Sequence, residues 1–221
     1  MNIVIANSNP TLNKLIEESN IKYQLLIKHK NDLNYKLLKS LNPQYIFFPH
    51  WSYIIPEDIY TNYTCIVFHM TDLPYGRGGS PLQNLIVSGQ EQTKISAIQV
   101  DKEIDSGPVY LKRDLSLCGT AEEIFIRAGK IILKMMNEII KEMPVPKPQK
   151  GEPFIFKRRK PEMSNIYHID NIEEIYNHIR MLDAEGYPKA FIEGENFRFE
   201  FSRASLKSDN SILADVRIFK K

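Results

Sequence analysis

The chain has 221 residues, 43% of them hydrophobic and 25% charged, which excludes a disordered, fibrous or coiled-coil protein and leaves one full domain plus a small appendage. Its 29 Lys and Arg against 27 Asp and Glu give a net charge of +2, not the footprint of a protein that grips a polyanion by charge alone, so nucleic acid is not expected as a partner. No run approaches the roughly 18 to 20 apolar residues of a membrane span and Met1 to Ala6 lacks the charged start of a secretory signal, so a cytoplasmic protein with no membrane partner is expected.

The first hundred residues alternate short β-rich apolar runs with helical patterns, which predicts a parallel sheet built from βαβ units. Asn2 to Ala6 is the first strand. Asn9-Pro10-Thr11 opens a helix whose Leu12, Leu15 and Ile16 share one face. Tyr23 to Ile27 reads as the second strand, Asp32 to Leu41 as the second helix, Tyr45 to Phe48 as a buried third strand ended by Pro49, and Thr64 to His69 as the fourth. Pro74 to Pro81 is the densest cluster of turn formers in the chain and leads into a helix near Pro81, so it reads as a functional loop. Lys94 to Val100 and Val109 to Leu117 are two further strands, and Asp101 to Gly107 between them is too long and too acidic for a minimal hairpin.

Thr120 to Met143 is the longest helical pattern, with Thr120-Ala121-Glu122-Glu123 as a capping box and Ile124, Phe125, Ala128, Ile131, Ile132 and Met135 on the apolar face. Four breakers in the eight residues Pro144 to Gly151 predict an extended linker, dividing a domain over 1–150 from a second over 151–221. That second unit holds a helix from about Ile172 to Leu182 and strands at Ala190 to Glu193, Asn196 to Ala204 and Leu213 to Phe219, a small α+β arrangement.

Cys65 and Cys118 lack Cys-x-x-Cys spacing, so buried free thiols are expected and no disulfide or metal site. The order of elements invites a nicotinamide cofactor, but the turn after the first strand reads Ala6-Asn7-Ser8-Asn9-Pro10 where Gly-x-Gly-x-x-Gly is needed. Gly76-Arg77-Gly78-Gly79 lacks the Gly-Lys-Ser/Thr ending of a P-loop. Open α/β sheets keep their polar chemistry at the carboxyl ends of strands, and His50, His69 and Asp105 are placed to converge at one sheet edge. The basic run Lys157-Arg158-Arg159-Lys160 reads as a phosphate clamp, a clasp between the units or a solvated surface segment.

Phe68-His69-Met70-Thr71-Asp72-Leu73-Pro74-Tyr75-Gly76-Arg77-Gly78-Gly79-Ser80-Pro81 resembles the His-x-Ser-Leu-Leu-Pro, Arg-Gly-x-x-Pro segment of the formyltransferases that use 10-formyltetrahydrofolate. Asp105-Ser106-Gly107-Pro108 resembles their Asp-x-Gly motif. Arg158 to Ser164 and Ile179 to Phe191 are similar to segments of the sugar-modifying branch of that superfamily. The resemblance implies an α/β fold, a Rossmann-like catalytic domain followed by a small C-terminal α+β unit of truncated OB-like form, and 10-formyltetrahydrofolate as the cofactor.

Carried over residue by residue, the resemblance makes His69 and Asp105 the catalytic pair. The family's Asn-x-His donor is replaced by Val67, which can donate nothing, and His50 on the neighbouring strand end is the candidate substitute. The folate is expected against Trp51, Ser52, Tyr53 and Ile54, against Thr71, Asp72, Leu73 and Pro74, and against Val100, Glu103 and Asp105. The acceptor is expected against Tyr75, Arg77, Gly78, Gly79 and Arg158. The sugar-branch segments point to a nucleotide-linked 4-amino-4,6-dideoxy sugar, with the pseudaminic-acid type among the pathways they admit, and to a homodimer through Asn196 to Ala204. Methionyl-tRNA, a peptide-synthetase substrate and a catalytically silent folate-binding protein are the alternatives.

Overall fold

Strands covered on both faces are apolar at every position, and Ile3–Ala6 (β1) and Tyr45–Phe48 (β3) are buried throughout. A computed structural model describes all 221 residues. After β1 come α1 (Pro10–Glu17), β2 (Leu25–Ile27), α2 (Tyr35–Leu41), β3, α3 (Glu57–Tyr60), β4 (Cys65–His69), β5 (Tyr75–Gly78), α4 (Pro81–Val87), β6 (Gln92–Gln99), β7 (Val109–Ser116) and α5 (Ala121–Glu142). Then follow β8 (Phe154–Phe156), α6 (Ile172–Arg180), β9 (Ala190–Glu193), β10 (Phe197–Leu206) and β11 (Ile212–Lys220). The capping box of α5 forms as its sequence predicts: the Thr120 amide donates to Glu123 Oε2 at 2.8 Å, and the Glu123 amide to Thr120 Oγ1 at 3.3 Å.

Six strands make one sheet in the order β2-β1-β3-β4-β6-β7. β1 runs parallel to β2 and β3, and β3 to β4, as the βαβ pattern predicts. β6 is antiparallel to β4, pairing Gln99 with Ile66 and Ser96 with His69. One face packs Val4, Ala6, Ile46, Phe48 and Cys65 against Leu33, Leu38 and Ile59. Elsewhere α1 meets α5 at Gly129, where a Cβ would stand 2.8 Å from Leu12 Cδ1, so the glycine lets the helices approach closely.

The chain gathers into two units, but not by division at residue 150. Unit one holds Met1–Gly78, Thr93–Leu115 and Phe125–Ile155; unit two holds Gly79–Gln92, Ser116–Ile124 and Phe156–Lys221. Hydrogen bonds explain the interleaving within unit two. Arg180 Nη1 donates to the carbonyls of Leu117 and Gly119, the Glu122 amide to Asp183 and Gln83 Nε2 to Met181. Unit two is otherwise α6 with the antiparallel sheet β11-β10-β9, whose strands lie where the sequence places them. Of the two thiols, Cys65 is buried as expected and Cys118 is exposed, because it lies in the loop just ahead of α5.

Candidate active site

His69 is the last residue of β4, and its neighbours are fixed by short polar contacts. Its Nε2 lies 2.7 Å from the Gly76 carbonyl. A carbonyl only accepts, so Nε2 carries the hydrogen and Nδ1 is the nitrogen that faces Asp105 Oδ2, at 3.5 Å. The Gly76 carbonyl also accepts from the hydroxyl of Thr71, a fully buried residue whose own carbonyl accepts from Ser96 Oγ at 2.7 Å. The other side of the pair is equally held: the Gly78 amide donates to Asp105 Oδ2 at 2.9 Å, a hydrogen bond strengthened by the acceptor's charge. His69 and Asp105 side chains are only 10% and 15% exposed.

The route by which Asp105 arrives differs from the expected convergence of strand ends. Because β6 is antiparallel to β4, its end lies beside the start of β4, where the Val100 amide donates to the Cys65 carbonyl. Ile66 to His69 is three residues, about 10 Å of strand, and the connection from Asp101 to Gly107 runs back over that distance. Asp105 takes a left-handed φ of 54° there, a conformation that Asp tolerates better than most residues. Gly107 abuts the sheet, and a Cβ on it would stand 1.9 Å from the Gln99 carbonyl oxygen.

His50, the candidate substitute for the donor that Val67 lacks, is packed against α5. Its ring meets Phe125 of α5 edge-on at 5.3 Å, while Val67 packs into the core cluster that holds Leu38 and Ile59. Phe48 is the residue in register with Val67, and His50 lies two residues beyond it. Burial lowers its pKa to about 4, so the ring is neutral near pH 7.

The residues expected around the folate fall into two groups. Trp51 Nε1 is a buried donor with no partner in the protein, a group that a ligand's acceptor edge would satisfy. Tyr53 and Ile54, and Ile104 between the expected folate residues Glu103 and Asp105, leave 43%, 73% and 63% of their surface exposed. A flat heteroaromatic ring fits a surface of this chemistry. Thr71 and Leu73 are buried inside the protein, the Ser52 amide donates to Ser8 Oγ at 3.3 Å, and the exposed Glu103 accepts at its carbonyl from Ser106 Oγ at 2.9 Å. Asp72 is clamped by Lys112 and Lys94. Burial pushes its carboxyl up, but the hydrogen bonds and charges of the two lysines outweigh burial and hold it below the usual value.

Among the acceptor residues, Tyr75 stacks on Phe154 at 5.2 Å and Arg77 donates twice to Gln149 Oε1, at 3.1 and 2.8 Å. Gly79 and Arg158 belong to unit two and pack on one another. Next to them, Arg159 donates to the Met163 carbonyl at 3.0 Å and lies 3.4 Å from His178 Nε2, a bracing role inside unit two. Sequence reasoning missed Gln149, hidden in a stretch that reads as a tether, and Ser96 and Lys112, ordinary residues of strand patterns.

A histidine–carboxylate pair held at the end of a central strand, beside a glycine-rich turn, makes a candidate acid–base site on an α/β sheet. The formyl transferase family model matches residues 4–124, and that of the methionyl-tRNA formyltransferase C-terminal domain matches 161–219. A solved structure described as methionyl-tRNA formyltransferase from Clostridium thermocellum is 53% identical, with a TM-score of 0.95 over 100% of both chains. A methionyl-tRNA formyltransferase of Wolbachia sp. subsp. Drosophila simulans is 30% identical over 88% of this chain and 65% of its own length. The chain belongs to the formyl transferase family, whose cofactor is 10-formyltetrahydrofolate. It spans between about half and two thirds of the length of the curated relatives it matches.

These likenesses overturn the amino-sugar acceptor, its pseudaminic-acid variant and the exclusion of nucleic acid. A 4-N formyltransferase from Francisella tularensis matches at 14% identity and a TM-score of 0.66 over 97% of this chain and 96% of its own, a likeness of fold alone. The physical reason is that a net charge bounds nonspecific attraction and carries no information on one particular acceptor.

Proposed function

We propose that the protein transfers the formyl group of 10-formyltetrahydrofolate to the amino group of methionyl-tRNA. The chemistry rests on one observation, the His69–Asp105 pair fastened to Gly76 and Gly78. The acceptor rests on the 53% likeness over the full length of both chains. When bound, the cofactor supplies the reactive carbonyl. His69 keeps its Nε2 hydrogen on Gly76 and presents Nδ1, beside the Asp105 carboxylate, to the reacting centre. The ring is held by its Nε2 hydrogen bond to Gly76 and the carboxylate by the Gly78 amide, and the proton that the amine must lose goes to Nδ1 or Asp105, both acceptors until it arrives.

Val67 favours one second reading, a folate-binding protein without turnover, because it removes the amide donor that the family places two residues before the histidine. Purified protein given 10-formyltetrahydrofolate and charged initiator tRNA separates the readings. Formylmethionyl-tRNA, identified by the mass of the released amino acid, is the expected product. Cofactor consumption with other amines but not with methionyl-tRNA overturns the acceptor; binding without consumption supports the silent reading.

A further inference from the structure

Gln149 lies in the proline-rich stretch after α5, where most residues are exposed and it is half-buried. The stretch is pinned to β7: the Val109 amide donates to the Lys147 carbonyl at 2.7 Å and the Lys147 amide returns the bond at 2.9 Å. Two residues on, Gln149 Nε2 donates to the carbonyls of Asp105 at 2.8 Å and Gly107 at 2.9 Å. Its Oε1 accepts both hydrogen bonds from Arg77, one residue from each of the two glycines that hold the catalytic pair. The orientation of the amide is unambiguous, since a guanidinium only donates and a carbonyl only accepts.

We propose that Gln149 is a positioning residue of the transfer reaction, holding the Asp105 connection against His69 and tying it to Arg77 in the turn that carries Gly76 and Gly78. The inference rests on the reading of His69 and Asp105 as the reacting pair. Its physical basis is the long return of the Asp101 to Gly107 connection. A segment that doubles back over the sheet, with a left-handed residue at its functional position, has no ladder of its own to hold it, and the amide supplies two of its anchors. Small displacements of a reacting group cost large factors in rate.

Gln149→Glu and Gln149→Met separate the two arms of the amide. Glutamate keeps an acceptor for Arg77 and turns an oxygen toward two carbonyls; methionine keeps the length and loses both arms. After far-ultraviolet dichroism shows both variants folded, the His69 ring resonances are compared with wild type in the protein without acceptor, and steady-state kinetics follow. The expected result is a moved His69 resonance and a kcat lowered by about tenfold or more in both variants, with the acceptor KM raised only in Gln149→Met. Unmoved resonances overturn the proposal, and so does a moved resonance with wild-type kcat. A wild-type rate in His69→Ala overturns the catalytic reading itself, and the resonances then decide whether Gln149 places Asp105.

Discussion

At the scale of single residues, the site is a network of donors and acceptors in which the Gly76 carbonyl and the Gln149 amide each serve two bonds, while Trp51 Nε1 has no protein partner. His69→Ala removes one member of the pair and Asp105→Asn the charge of the other, and both leave the Trp51 loop untouched. Turnover is expected to fall by about two orders of magnitude or more in each, with folate binding, followed by tryptophan fluorescence, retained. Full activity in either variant removes that side chain from the mechanism. The thiols differ as sharply. Burial pushes the Cys65 thiol up to about 12, so it is held as an unreactive thiol, and Cys118 is exposed. A thiol reagent is expected to find one group per chain in the native protein and two in denaturant. Two in the native state contradict the burial of Cys65 beneath the sheet.

At the scale of elements, what the sequence shows and what it hides divide along hydrogen-bond range. Strand and helix positions are legible because burial writes them locally: the all-apolar Tyr45 to Phe48, the capping box at Thr120, the apolar run Cys65 to Phe68 before His69. His69 and Asp105 are legible through their motifs. The antiparallel course of β6 is not, since parallel and antiparallel strands with one covered partner share the same residue pattern, and that course decides how Asp105 reaches His69. Gln149 is hidden for the related reason that its partners are 72 and 44 positions away. The connection itself carries a prediction. Gly107→Ala places a Cβ against the Gln99 carbonyl, at 1.9 Å if nothing moves, so the Asp101 to Gly107 segment must lift from the sheet. Turnover is expected to drop by about a hundredfold with the far-ultraviolet spectrum preserved, and a wild-type rate there shows that the reacting pair does not depend on this close contact.

At the scale of the whole molecule, the acceptor escapes the sequence because net charge averages over a surface, while the stability of the fold against acid is written in particular buried groups. In the folded protein the His50 imidazole takes a proton at about 4, against 6.5 when unfolded. Between those values the unfolded chain binds a proton that the folded chain refuses, so stability is full above the window and falls as pH drops through it. The difference amounts to about 3 to 4 kcal/mol at most, at about 1.4 kcal/mol for each unit. His178 is shifted the same way, chiefly by burial, and acts in the same direction. Asp72, held below its ordinary value of 3.8, loses its contribution only at still lower pH, which leaves the window from 6.5 to 4 to the histidines. His50→Leu keeps an apolar contact for Phe125 and removes the titrating group. Urea midpoints at pH 7.5 and pH 5 are expected to differ less in this variant than in wild type. An equal difference in both proteins places the acid sensitivity elsewhere. The same variant bears on the catalytic question: with the ring packed on Phe125, His50→Leu is expected to keep wild-type turnover at pH 7.5, whereas a loss of a hundredfold makes His50 the donor that Val67 lacks.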